Sequence, residues 1–310
     1  MSAKQLLRLA LVLGALIVLW GAAALARHRE AAPEKGEAFR LPAIRRNDVD
    51  KVVLTRAGDT TMLVKKDTNS WTANGHRASA RAIADLLSAL SDSAQGSELV
   101  AERRRSHAGL GVDSAGGTRA QIIKGGKTLA DFVVGHRSPD FSGGYVRQAN
   151  QEPTYLVRGR LVEVLSRSSD EWREHQIVAV PPDSVTTLEV SRGLKRYRLR
   201  RAGKGWSLST GGTVDSSRVT DLLAAYRTLD ATGFASPAQA DSAHFAKPDR
   251  RARLLRKDGT PIVGLLFDST ATGFWVRPDT GNTIYKVDSY TADRLTPADS
   301  GLKVKVAVKK

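Results

Sequence analysis

The sequence predicts an α+β protein of two tandem copies of a mostly antiparallel β unit. Each copy has one main helix packed on its sheet, and an N-terminal transmembrane helix precedes both. Three observations predict this: an uncharged run over residues 9–26, short alternating strands broken by turn residues, and segments that recur once in the second half of the chain. A length of 310 residues, 41% hydrophobic and 26% charged, suits two globular domains.

The first element is LALVLGALIVLWGAAALA, flanked by Lys4 and Arg8 before and by Arg27, His28 and Arg29 after. At ~1.5 Å per residue the run covers roughly 27 Å, close to the ~30 Å hydrocarbon core. Arg8 and Arg27 can snorkel at its ends. Ala24-Leu25-Ala26 has the small-x-small form of a cleavage site, but the run exceeds the ~7 to 15 apolar residues of a signal core. The expectation is therefore an uncleaved anchor over residues 1–29. The following stretch, 30–47, with Pro33, Gly36 and Pro42, reads as a polar tether.

Self-similarity follows. Residues 49–56 (VDKVVLTR) resemble 185–192 (VTTLEVSR), and Trp71 and Trp206 come next at nearly the same offset. Residues 79–90 (SARAIADLLSAL) match 216–229 (SSRVTDLLAAYRTL); 121–135 match 253–267; 143–157 match 273–287. A collinear series with slowly drifting offsets predicts two copies of a unit of ~130 residues, 48–178 and 179–300, with a basic tail over 301–310.

Within each copy, Val49, Val53, Leu63 and Val64 suggest a half-buried hairpin that the tryptophan strand extends. The helix starts at an N-cap serine, Ser79 or Ser216. It lines up Ile83, Leu86, Leu87 and Leu90, or Val219, Leu222, Leu223 and Tyr226, on one face. Two further hairpins turn at Gly125-Gly126 or Asp258-Gly259, then near Gln151 or Thr280. A short helix closes each unit, and Pro181-Pro182 marks the junction. Hairpin connections predict an antiparallel sheet with the helix on one face.

Chemistry is sparse. The absence of cysteine excludes disulfides, thiolate metal sites and a cysteine nucleophile. Gly125-Gly126-Lys127-Thr128 looks like the end of a phosphate loop, but Gln121 stands where the first glycine belongs. None of the six histidines pairs at metal-ligand spacing; His107 and His244 hold equivalent places before Asp113 and Asp249. No Gly-x-Ser-x-Gly elbow exists, and Glu171 with Glu174 suggests an exposed helix edge. No catalytic, cofactor or metal site is expected.

The 48 basic against 32 acidic residues give a formal charge of +16, which attracts polyanions. In residues 195–201 (KRYRLRR) a period of two sets Arg196, Arg198 and Arg200 on one face and Tyr197 and Leu199 on the other. These three arginines are the candidate anion or partner contact, with a solvated face as the plain alternative.

Several markers together resemble one family. They are an N-terminal span, the Trp strand, the Leu-Leu helix, GLGVD at 109–113, the 134–147 hairpin (VGHRSPDFSGGYVR) and Glu171-Trp172-Arg173. All are similar to members of the bacterial domain-of-unknown-function 4340 family, although the second copy has FAKPD at 245–249 in place of the glycine-rich turn. Such proteins are often encoded beside ABC-type transporter and gliding auxiliary components. The resemblance therefore implies a non-enzymatic accessory protein of a transporter-type envelope complex, and it implies no catalytic residue. The expectation is a single-pass protein of the cytoplasmic (inner) membrane, anchored by residues 9–26, with its bulk extracytoplasmic in the periplasm. Expected partners are integral-membrane transporter subunits, or an anionic polymer or lipid headgroups, with no nucleic acid. A hydrolase with an unrecognised site is the remaining alternative.

Overall fold

The structure, a computed structural model, describes residues 39–42, 44–92 and 96–304. The expected anchor, most of the expected tether and residues 305–310 lie outside the described residues. Among the described residues no helix is long and apolar enough to cross a membrane.

The chain is mostly antiparallel sheet with a few helices. Strands β1 (Lys51–Arg56), β2 (Asp59–Lys65), β3 (Trp71–Ala73) and β4 (His76–Arg77) precede helix α1 (Ala80–Asp92). Then come β5 (Ser97–Ala101), α2 (His107–Leu110), β6 (Thr118–Lys124), β7 (Lys127–Arg137), β8 (Gly143–Gln148), β9 (Thr154–Arg158) and α3 (Leu161–Leu165). They form one sheet in the order β4-β3-β2-β1-β6-β7-β8-β9-β5.

Register decides which face is buried. Val52 stands opposite both Leu63 and Ile122, so these three share a side and are fully enclosed. Leu54 joins them, whereas Val53, expected to point inward, is only half-buried on the other face. Val49 is buried, but ahead of the strand. On the enclosed face lies α1, whose Ile83, Leu86, Leu87 and Leu90 are buried as the 3.6-residue period requires. The Ser79 hydroxyl accepts the Ala82 N–H at 3.3 Å. Trp172 closes the core with no exposed surface.

The second half repeats the order. Strands β10 (Gln176–Val178), β11 (Thr187–Arg192), β12 (Lys195–Ala202) and β13 (Gly205–Leu208) lead to α4 (Ser216–Ala225). Next are β14 (Leu229–Asp230), β15 (Gly233–Phe234), α5 (Pro237–Ser242), β16 (Arg250–Leu255), β17 (Pro261–Thr270), β18 (Gly273–Pro278), β19 (Tyr285–Val287) and α6 (Ser289–Leu295). The sheet order is β13-β12-β11-β16-β17-β18-β19-β15. The N-cap of α4 is Asp215, one residue ahead of the expected Ser216; its carboxylate accepts the Ser217 and Arg218 N–H groups. A carboxylate at this position also suits the positive end of the helix dipole.

Three expected boundaries move, each because apolar side chains sit inside a segment that its prolines or charges mark as linker. Phe39, Leu41 and Ile44, assigned to the tether, are buried in the first core. Leu302, assigned to the basic tail, is buried in the second core, and Lys303 bridges to Val214. The Glu174 N–H donates to the Arg77 carbonyl, whereas the His175 carbonyl accepts from Ala231. Ile177 and Val178 then pack in the second core, so the chain changes partners ahead of Pro181.

Candidate functional site: an arginine-lined groove

The enclosed face of the second sheet carries Leu188, Val190, Tyr197, Leu199, Ala252 and Leu254. Alternation then forces their neighbours onto the opposite face. Cross-strand register sets them in rows, with Arg198 and Arg253 flanking Glu189, and Arg196 and Arg251 flanking Ser191. Farther along this face, Phe245 covers Leu266 and Trp275. Residues 246–248, which follow it, form a rim beside the uncovered strands. Between rim and strands runs an open groove of about 700 Å³, lined by Arg196, Arg198, Lys247, Arg251 and Arg253 against a single carboxylate, Glu189.

The Arg198 guanidinium donates twice to Glu189 Oε1, at 2.9 and 2.7 Å. Among the described residues, the side chains of Arg196, Arg251, Arg253 and Lys247 have no acidic partner. Backbone positions two residues apart on a strand are ~6.8 Å apart, and those two strands apart ~10 Å. The larger spacing is near the Debye length of ~10 Å at 0.1 M salt, so salt screens repulsion across the strands more than along one. An anion seated between the rows meets several of them at once, with planar donors suited to paired oxygens.

Of the three arginines expected to make contact, Arg196 and Arg198 line the groove. Arg200 is exposed on the same face, one row beyond it, opposite Thr187. Lys247, Arg251 and Arg253 were not expected. The alternation of Arg251 and Arg253 with Ala252 and Leu254 was the available signal, but only the pairing of β11 with β16 brings that strand alongside. In the first sheet the places that correspond to the groove carry no such excess of cations. Thr60, Met62 and Val64 stand where β12 has its arginines, and Arg119 is held by Asp131 at 2.6 Å. That guanidinium, by hydrogen bond and charge, keeps the Asp131 carboxyl below the usual carboxylate range.

The other sequence candidates have structural work. His107 is buried, with Nε2 2.7 Å from the Glu152 carbonyl. His244 is exposed and donates its backbone N–H to Asp268. Gly125 and Gly126, at φ 53° and 78°, form the tight turn between β6 and β7. Glu171 caps Ser168, and Glu174 accepts the Gln176 N–H. Among the described residues no group of three or more His, Cys, Asp or Glu is placed to hold a metal ion.

The shared motifs prove to be packing devices. In GLGVD, Gly111 turns at φ 67° after α2, and a Cβ there would meet the His136 ring at 2.5 Å. Arg147 Nε donates to the Val112 carbonyl at 2.8 Å, pinning the same motif from β8. In the 134–147 hairpin a Cβ on Gly143 would lie 2.1 Å from the Val157 carbonyl oxygen. A family model described as a domain of unknown function (DUF4340) matches residues 73–248, more than half of the chain. The chain belongs to the DUF4340 family. The DUF4340 match starts in β3, takes in two of the three groove strands, β11 and β12, and ends at Pro248 on the rim, short of β16 with Arg251 and Arg253. Comparison with curated proteins and with solved structures finds no match.

Proposed function

We propose that this DUF4340 protein is a non-enzymatic, extracytoplasmic accessory protein. It is held at the membrane by residues 9–26, built from two copies of one α+β unit, and takes an anionic partner in the arginine-lined groove of the second copy. The observation that carries the reading is the excess of five cations over one carboxylate around a single concave surface. The equivalent face of the first sheet lacks this excess, so the shared fold does not require it. The test uses inorganic polyphosphate as a probe. The detergent-solubilised full chain binds it, and replacing Arg196, Arg198 and Arg251 with Gln weakens binding at least tenfold. Equal replacement of Arg103, Arg104 and Arg105, exposed in the first half, changes it little. Equal losses in the two variants contradict a groove site.

A second reading, docking to an integral-membrane transporter subunit, is favoured by Phe141. Its ring is 70% exposed, its backbone is left-handed at φ 57°, and the Arg137 guanidinium stacks on it. An exposed aromatic in a conformation that costs about 1–3 kcal/mol is a natural anchor for a partner pocket. Phe141→Ala is expected to lower co-purification of transporter subunits from solubilised membranes without lowering the melting temperature. Unchanged recovery counts against this docking point.

A further inference from the structure

One end of the groove is the β11–β12 hairpin, whose two-residue turn is Gly193-Leu194 between the paired Arg192 and Lys195. Gly193 lines the groove, takes φ 57°, and donates its N–H to the Asp249 carbonyl at 2.8 Å, which ties the tip to the rim segment. A turn of this kind needs glycine at its first central position. It makes no demand for an apolar residue at the second, yet that residue is Leu194, with a relative exposure of 101%. The other two-residue hairpin tips hold Ala57-Gly58, Asn74-Gly75, Gly125-Gly126, Gly203-Lys204 and Ala271-Thr272. Among the described residues no other such tip carries a large apolar side chain.

Lys195 and Arg196 follow this leucine in β12, and the groove that Gly193 borders is lined by Arg196, Lys247 and Arg251. We infer that the anionic partner of the groove is a phospholipid bilayer surface. The Leu194 tip enters the interfacial layer while the flanking cations take the headgroup phosphates. The inference rests on the groove reading above and narrows it to one partner. A soluble polyanion satisfies the arginines but gives the leucine nothing. An anionic bilayer offers apolar matter directly beneath a layer of negative charge, the pairing that this tip presents in reverse. Apolar insertion and basic attraction are two weak signals that together hold a surface at a membrane.

The absence of cysteine allows a clean test in the full chain. Leu194→Cys carries an environment-sensitive fluorophore, and the protein is placed in nanodiscs of phosphatidylcholine with or without phosphatidylglycerol. With phosphatidylglycerol the emission shifts to the blue and is quenched by nitroxide-labelled lipid. Both effects are lost without the anionic lipid, and in the background of Arg196→Gln with Arg251→Gln. A label at Met62→Cys, near the corresponding hairpin of the first sheet, stays water-exposed throughout. If the 194 probe stays in water while wild-type protein still binds polyphosphate through the groove, the bilayer inference is overturned and the groove reading stands. Failure of both overturns the groove reading as well.

Discussion

Asp140 shows how one side chain stiffens a loop. Its carboxylate accepts from the Ser138 hydroxyl at 2.6 Å and from both the N–H and hydroxyl of Ser142. These bonds hold its pKa down to about 2. The folded value lies below the ordinary carboxylate value of ~3.9. The stabilisation is therefore present above about pH 4 and is lost as pH falls towards about 2. Asp140→Asn is expected to lower the melting temperature at pH 7 and to make little difference at pH 2, as thermal unfolding at the two pH values would reveal. A deficit of equal size at both contradicts the ionised acceptor. Read as sequence, this residue belonged only to a motif, because the serines that bond to it acquire their positions from the hairpin. Arg196 and Arg198 were legible because a period of two is written along a single strand. Lys247, Arg251 and Arg253 were not, because their role depends on which strand lies beside which.

Elements with a strong period were easiest to read. Helix α1 has a buried stripe every three or four residues, and Leu222 and Leu223 of α4 are buried as their match to Leu86 and Leu87 implies. Strand β5 was missed. It pairs at the sheet edge with β9; its burial alternates only between half-buried and exposed, and apolar Val100 lies on the open side, so hydropathy along the sequence does not mark it. Strands β10, β14 and β15 are too short for a pattern. The segment of residues 172–178 works as a shared element. Trp172 fills the first core, Arg173 bridges to Ala78 and stacks 3.6 Å from the centre of Phe234, and β10 pairs with β14. Among the described residues the Trp172 indole N–H has no hydrogen-bond partner, so the value of the side chain lies in its volume and in the Arg167 guanidinium over its ring. Trp172→Ala is expected to cost about 3–5 kcal/mol in urea unfolding. Trp172→Phe, which removes the unpaired donor, is expected to cost less than half as much. Equal costs would mean that the indole N–H matters after all.

At the scale of the molecule, two sheets share one strand order but present different open faces. In the first, Asp131 faces Arg119 and bonds to Gln121, leaving little net charge at the places that correspond to the groove. In the second, Gly264 pairs with Arg253 at the place where Asp131 pairs with Gln121. The Asp279 carboxylate accepts the Gly264 N–H there and Glu189 holds Arg198, but Arg196, Arg251, Arg253 and Lys247 form no ion pair among the described residues. This divergence between like-built sheets is what supports placing the proposed anion contact in the second half. A surface of this kind acts through counterion release, so its affinity falls with salt in proportion to the cations engaged. The most direct measurement is therefore the slope of log affinity for polyphosphate against log salt, for the full chain and for the Arg196, Arg198 and Arg251 to Gln variant. The groove account predicts that the slope shrinks by about one for each arginine removed. A variant that binds with an unchanged slope would contradict it.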